Sequence, residues 1–238
     1  MNESRTRAQF VLGGLLCVGL VTLGYLLHSG ILTVKALERT VTVKGLSERE
    51  VAADIAIWPV KYTEAGDDLN QLASLVESRN GQVVDFLRRN GFRDEDITVS
   101  VPSIIDRRAQ GFVDPNQGLR YTASSTITVY TRDVDGVRRA MANLVELGKA
   151  GVAVAGQDYE SRIEFLYTGL NDIKPAMIEE ATRNAREVAE KFARDSDSRL
   201  GKIKTASQGQ FSIDNRDAST PHIKKVRVVS TIEYYLSD

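Results

Sequence analysis

Residues 120–131, RYTASSTITVYT, alternate without a break: Tyr121, Ala123, Ser125, Ile127 and Val129 share one parity, and Thr122, Ser124, Thr126, Thr128 and Tyr130 the other. β-Branched, aromatic and small side chains at a period of two fit a pleated strand with one face on a core. Downstream, Asp133 or Asp135 caps a short helix carrying Val137, Met141, Leu144, Val145 and Leu147 and ended by Gly148. Residues 159–167 then read as another strand. Upstream, residues 97–105 form a strand containing Pro102. Residues 106–118, with Gly111, Pro115 and Gly118, form a loop or long hairpin tip.

Further out, residues 40–43 open a first strand and the polar residues 45–50 form a turn. Val51, Ala53, Ile55 and Ile57 then alternate with Ala52, Asp54, Ala56 and Trp58, and Pro59 favours an edge or a bulge. Leu69, Leu72, Leu75 or Val76, Val83, Phe86 and Leu87 recur at helical spacing up to Asn90-Gly91. Gly81 inside that helix costs about 1 kcal/mol against alanine and suits a close approach or a bend. The longest helix spans residues 172–195, with an apolar stripe of Ile178, Ala181, Ala185, Val188 and Phe192. Residues 202–213 and 223–236 close the chain as two strands, Val226, Val228, Ile232 and Tyr234 sharing one face of the second. The order predicts an α+β fold of two β-α-β-containing subdomains, residues 51–101 and 120–167, with antiparallel sheets covered by helices on one face.

From Phe10 to Leu27 the chain is apolar and uncharged. As a helix this run is about 27 Å long, close to the thickness of a bilayer's hydrocarbon core. Arg5 and Arg7 precede it, which predicts a cytoplasmic tail at residues 1–9, a transmembrane signal anchor at 10–29, a linker at 30–38 and an exported domain from residue 39. The alternative is a cleaved leader, for which His28 and Gly30 make a poor cleavage pair. Cys17 is the only cysteine, so the domain beyond it holds no disulfide. A net charge of −1 argues against nucleic acid as a partner.

The opening VTVKGLSEREVAADIAIWPV, the helix end LRRNGFRDEDITV, the strand YTASSTITVYTRD and the late helix ATRNAREVAEKFA followed by LGKI together resemble the SIMPL domain, in the order that family has them. The resemblance covers residues 39–238. It implies a periplasmic or surface-exposed bacterial protein with two α+β subdomains, some members of the family assembling into rings or channels and some linked to oxidative-stress defence. No catalytic residues are established for the family, and none are carried over.

The residues themselves offer little chemistry. His28 and His222 belong to no metal or triad pattern, and no nucleophile elbow, phosphate loop or dinucleotide fingerprint is present. His222 reads as a solvated loop residue. Asp94, Glu95 and Asp96 with Arg88, Arg89 and Arg93 read as a mixed ion-pair patch at a helix end. Tyr121, Tyr130, Tyr234 and Tyr235 read as strand packing with hydroxyls at the rim, and Trp58 as a core or interface plug. The candidates for partner binding are Arg107, Arg108 and Phe112, since charged loops with an aromatic tip dock partners. The expectation is a non-enzymatic, cofactor-free, single-pass inner-membrane protein whose periplasmic domain forms homo-oligomers. The alternative is a ligand- or peptide-binding module serving a membrane partner.

Overall fold

A computed structural model describes residues 3–36, 39–109, 118–156 and 161–237 of the chain. In chain order the elements are α1 (Glu3–Ala36), β1 (Thr40–Ala52), β2 (Ile55–Gly66), α2 (Leu69–Arg89), β3 (Ile97–Val99), β4 (Ser103–Asp106), β5 (Tyr121–Thr131), α3 (Val134–Ala142), α4 (Val145–Lys149), β6 (Glu164–Leu166), α5 (Leu170–Asp195), β7 (Arg199–Gln208), β8 (Ser212–Asn215) and β9 (Ile223–Ser237). The fold is α+β, with two antiparallel-paired sheets and an N-terminal apolar helix whose stretch Gly13–Ile31 is long and apolar enough to cross a membrane. The chain divides into two compact units. One holds residues 1–48, 174–212 and 227–238, the other residues 49–173 and 213–226. Both β-α-β segments expected from the sequence fall in the second unit, and the first is assembled from stretches far apart in the chain.

In the second unit the sheet order is β3-β5-β2-β6, with β4 also pairing β5. The two β-α-β segments are interleaved in this one sheet, the split β-α-β arrangement. β5 pairs β2 along its whole length, from Ala56 opposite Thr131 to Gly66 opposite Tyr121. Its alternation is as read: Ala123, Ser125, Ile127 and Val129 are buried and Tyr130 is exposed. The single strand expected at residues 97–105 is two strands. Ile97 lies opposite Val129 and Ser103 opposite Ser124, so three residues, Ser100 to Pro102, stand against two of β5. Pro102 sits in that bulge, where its missing N–H breaks no ladder. Pro59 satisfies the same constraint: β6 pairs β2 only as far as Ile57, which leaves that edge open at the proline.

The core of this unit joins Trp58, Val60 and Tyr62 of β2 to Val83, Phe86 and Leu87 of α2 and Ile127 and Val129 of β5. Trp58 is a core residue, edge-on to Phe92 at 6.3 Å. β2 buries the parity of Trp58, Val60 and Tyr62, whereas Ile57 is only half-buried. The chain turns into β2 at Ala53-Asp54, where the Asp54 carboxylate accepts from the backbone N–H of Thr168 and, at 2.8 Å, from its hydroxyl. α2 is capped by Asp68, whose side chain accepts from the Gln71 N–H at 2.9 Å, and buries Leu72, Val76, Val83, Phe86 and Leu87 as its periodicity required, whereas Leu69 at its start is exposed. Gly81 faces open space, so it serves no close approach. Asp133 caps α3 by accepting from the Gly136 N–H at 2.8 Å. The helix expected beyond it is broken at Asn143 into α3 and α4, and Val145 is exposed.

The other sheet runs β1-β9-β7, with β8 pairing β9. The turn expected at residues 45–50 does not exist: β1 is continuous from Thr40 to Ala52. Gly45 is there for a different reason. A Cβ on it would lie 1.8 Å from the Ala181 carbonyl oxygen and 2.5 Å from the Ala185 nitrogen of α5. The buried face of α5 is correspondingly smooth, with Met177, Ala181, Ala185, Ala189 and Ala193. The stripe read from the sequence is thus displaced, and Val188 and Phe192 are exposed. β9 buries Val226, Val228, Ile232 and Tyr234 as expected, and Lys224 and Ser230 with them.

Candidate functional site

The β4–β5 hairpin carries the residues singled out for partner binding. Arg107 and Arg108 follow β4 directly, at the base of the tip; Phe112 lies outside the described residues. The Arg107 N–H donates to the Arg120 carbonyl at 2.9 Å, which keeps the two limbs together past the last strand residues. The Arg107 guanidinium lies over Gly118, whose φ of +86° gives the backbone a conformation that glycine tolerates best. Arg108 is exposed, its N–H donating to Asp106 Oδ1 at 3.0 Å. Beneath it Arg120 grips Asp106 Oδ2 with Nε at 3.1 Å and Nη2 at 2.8 Å, and its guanidinium also lies 4.8 Å from the centre of the Tyr121 ring. The hydrogen bonds from Arg120 hold the Asp106 carboxyl below the usual carboxylate range. The structure therefore places Arg107 and Arg108 together at one end of the sheet, on a base tied by an ion pair.

The strands leading to that tip form an edge. β3 and β4 pair β5 on one side and, among the described residues, no strand on the other. Val99, Val101, Ile104 and Ile105 are exposed, Val101 at 93%. An apolar, partly unpaired edge is a template for another strand or another copy. The sequence marked this stretch as a strand but not as an exposed one, because Ile and Val patterning is the same whether the second face meets a core or water.

The ion-pair patch forms as read around Arg88 and Arg93. Arg88 Nε lies 2.7 Å from Asp94 Oδ1, Arg93 Nε 3.2 Å from Asp96 Oδ2, and Arg93 also pairs with Glu95. Among the described residues no three His, Cys, Asp or Glu side chains are grouped to hold a metal ion. Tyr159 lies outside the described residues. His222 is not the solvated loop residue expected. It is half-buried, edge-to-face with Phe165 at 6.0 Å, its carbonyl accepts from the Ala53 N–H, and burial pushes its imidazole below the ordinary value. Tyr234 departs from expectation too: its hydroxyl is buried rather than at the rim and has no partner among the described residues.

Two polar features escaped the sequence reading. Tyr62, fully buried, places its hydroxyl 2.9 Å from the Val76 carbonyl and 2.8 Å from Asn80 Oδ1, and the Ser125 hydroxyl donates to the same Oδ1 at 2.8 Å. Burial raises the Tyr62 phenol above its usual value. The other is Lys224, only 8% exposed, beside a cleft of about 440 Å³. Its signal was legible in principle: Lys224 has the parity of Val226 and Val228 and so points inward.

Two antiparallel-paired sheets, helices and a leading apolar helix define an α+β domain preceded by a candidate membrane span. The profile of the SIMPL family, described as a protein of unknown function (DUF541), matches residues 41–232, and the chain belongs to that family. No curated protein matches the chain.

Proposed function

We propose that this chain is a non-enzymatic envelope protein, anchored in the inner membrane by α1, whose SIMPL domain lies in the periplasm and self-associates through the β3–β4 edge. The observation carrying this reading is that edge, with Val101, Ile104 and Ile105 exposed beside strands that pair on one side only among the described residues. Anchoring is supported by the stretch Gly13–Ile31, apolar and with none of it buried against the rest of the chain. Orientation is supported by Arg5 and Arg7 ahead of it. A part in oxidative-stress defence is supported by the family resemblance alone.

The test is light scattering on the detergent-solubilised full chain, with an Ile104→Lys/Ile105→Lys variant beside it. The reading expects an oligomer that the double substitution reduces to monomers. A monomeric wild type, or an oligomer indifferent to the substitutions, would reject it. A reporter fused to the C-terminus, active only outside the cytoplasm, tests the orientation.

A further inference from the structure

The inward row of β9 runs Lys224, Val226, Val228, Ser230, Ile232, Tyr234, and a lysine at its head is out of keeping with the rest. Lysine is among the residues least often fully buried, because removing an ammonium from water is costly unless a counter-ion replaces the lost hydration. Here the only direct partner among the described residues is neutral: Nζ donates to the Asn215 side-chain oxygen on β8. An ammonium has three N–H donors, so two are left over. No carboxylate of the described residues lies within ion-pairing distance of it.

Lys224 lines the cleft of about 440 Å³, within the size range of small-molecule sites. β6 forms one wall, and it is the terminal strand of its sheet. Arg162 and Glu164, both exposed, supply a second cation and one acid, while Leu166 and Pro221 supply apolar surface. We propose that this cleft binds a small monocarboxylate, amino acids included, whose carboxylate takes the free donors of Lys224 and meets Arg162. The ligand's apolar part rests on Leu166 and Pro221. Glu164 sets the charge limit: it repels a phosphate or a second carboxylate and accepts an amino group. Burial, which pushes the Lys224 ammonium below its ordinary value, is offset when such a counter-ion enters.

Equilibrium dialysis of the detergent-solubilised full chain against radiolabelled butyrate and radiolabelled leucine tests this. The expected result is saturable uptake of at least one of them, one equivalent per chain, displaced by the unlabelled compound and indifferent to inorganic phosphate. Lys224→Met weakens it by roughly tenfold or more, and Lys224→Arg retains part of it. Arg162→Gln alters only an exposed side chain, so it weakens binding with the fold intact and covers the case in which the lysine variant fails to fold. No saturable uptake of either compound up to about 10 mM, or uptake unchanged in Lys224→Met and Arg162→Gln, overturns the assignment. The readout is independent of the oligomeric state.

Discussion

Gly45 of β1 and Ala181 of α5 meet backbone to backbone: a side-chain carbon on the glycine would lie 1.8 Å from the alanine's carbonyl oxygen. No rotamer relieves that overlap, because Cβ has no torsional freedom and the opposing atom is main chain. Gly45→Ala should therefore destabilise the fold by about 3 kcal/mol or more, at the upper end of overpacking costs, read as a lower midpoint in urea unfolding. Lys44→Ala, on an exposed neighbour, is the control and should leave the midpoint unchanged.

The two buried tyrosines should respond oppositely to loss of the hydroxyl. Tyr62→Phe removes a partner from Asn80 and Val76 and should cost about 1–2 kcal/mol. Tyr234→Phe removes a buried hydroxyl that has no partner among the described residues, and should be neutral or stabilising. Thermal unfolding of the two variants side by side decides it.

Burial lowers the folded-state value of Lys224 below that of the unfolded chain. In the window between the two values the unfolded chain binds more protons, so stability rises with pH there, and the penalty is fully present below the folded value. Lys224→Met should flatten that alkaline rise and gain about 1 kcal/mol at neutral pH. A denaturant midpoint that falls in the variant, or an alkaline rise that persists, contradicts the account.

The β8–β9 turn should loosen in acid. Asp217 accepts from the Ser219 N–H at 2.8 Å, the Thr220 N–H at 2.7 Å and Arg216 Nε at 3.0 Å, and from the Thr220 hydroxyl. Hydrogen bonds from Thr220 and Arg216 hold its carboxyl far below the ordinary value. The contribution is present above the unfolded value and is lost as pH falls through the folded one. Hydrogen exchange at Ser219 and Thr220 should stay protected at mildly acidic pH and speed up, relative to the sheet, only in strong acid. Asp217→Asn should shift that loss to neutral pH.

Much of this architecture was written in periodicity. β5 and α2 follow their apolar patterns, since each packs one face on one core. The errors have a common physical origin in contacts between residues distant in the chain. Gly45 looks like a turn until α5 is known to press on it, and only then do alanines, rather than Ile178, Val188 and Phe192, become the buried face. The parity of β2 is set by the core it shares with α2 and β5, in which Trp58, Val60 and Tyr62 are buried and Ile57 is not. Arg107 and Arg108 were locatable as a hairpin base from glycine and proline punctuation. The inward parity of Lys224 is legible in the sequence, but its companions across the cleft come from β6 and β8, which periodicity alone does not bring together.

Only three residues separate the last helical residue, Ala36, from the first strand residue, Thr40. Even fully extended, such a stretch reaches only about 14 Å. If α1 crosses the bilayer, the domain rides on a short leash and its copies wander in two dimensions rather than three. Crowding in that plane raises the chance of encounter without any added contact area, so an edge that pairs chains in dilute solution does so at far lower copy number in the membrane.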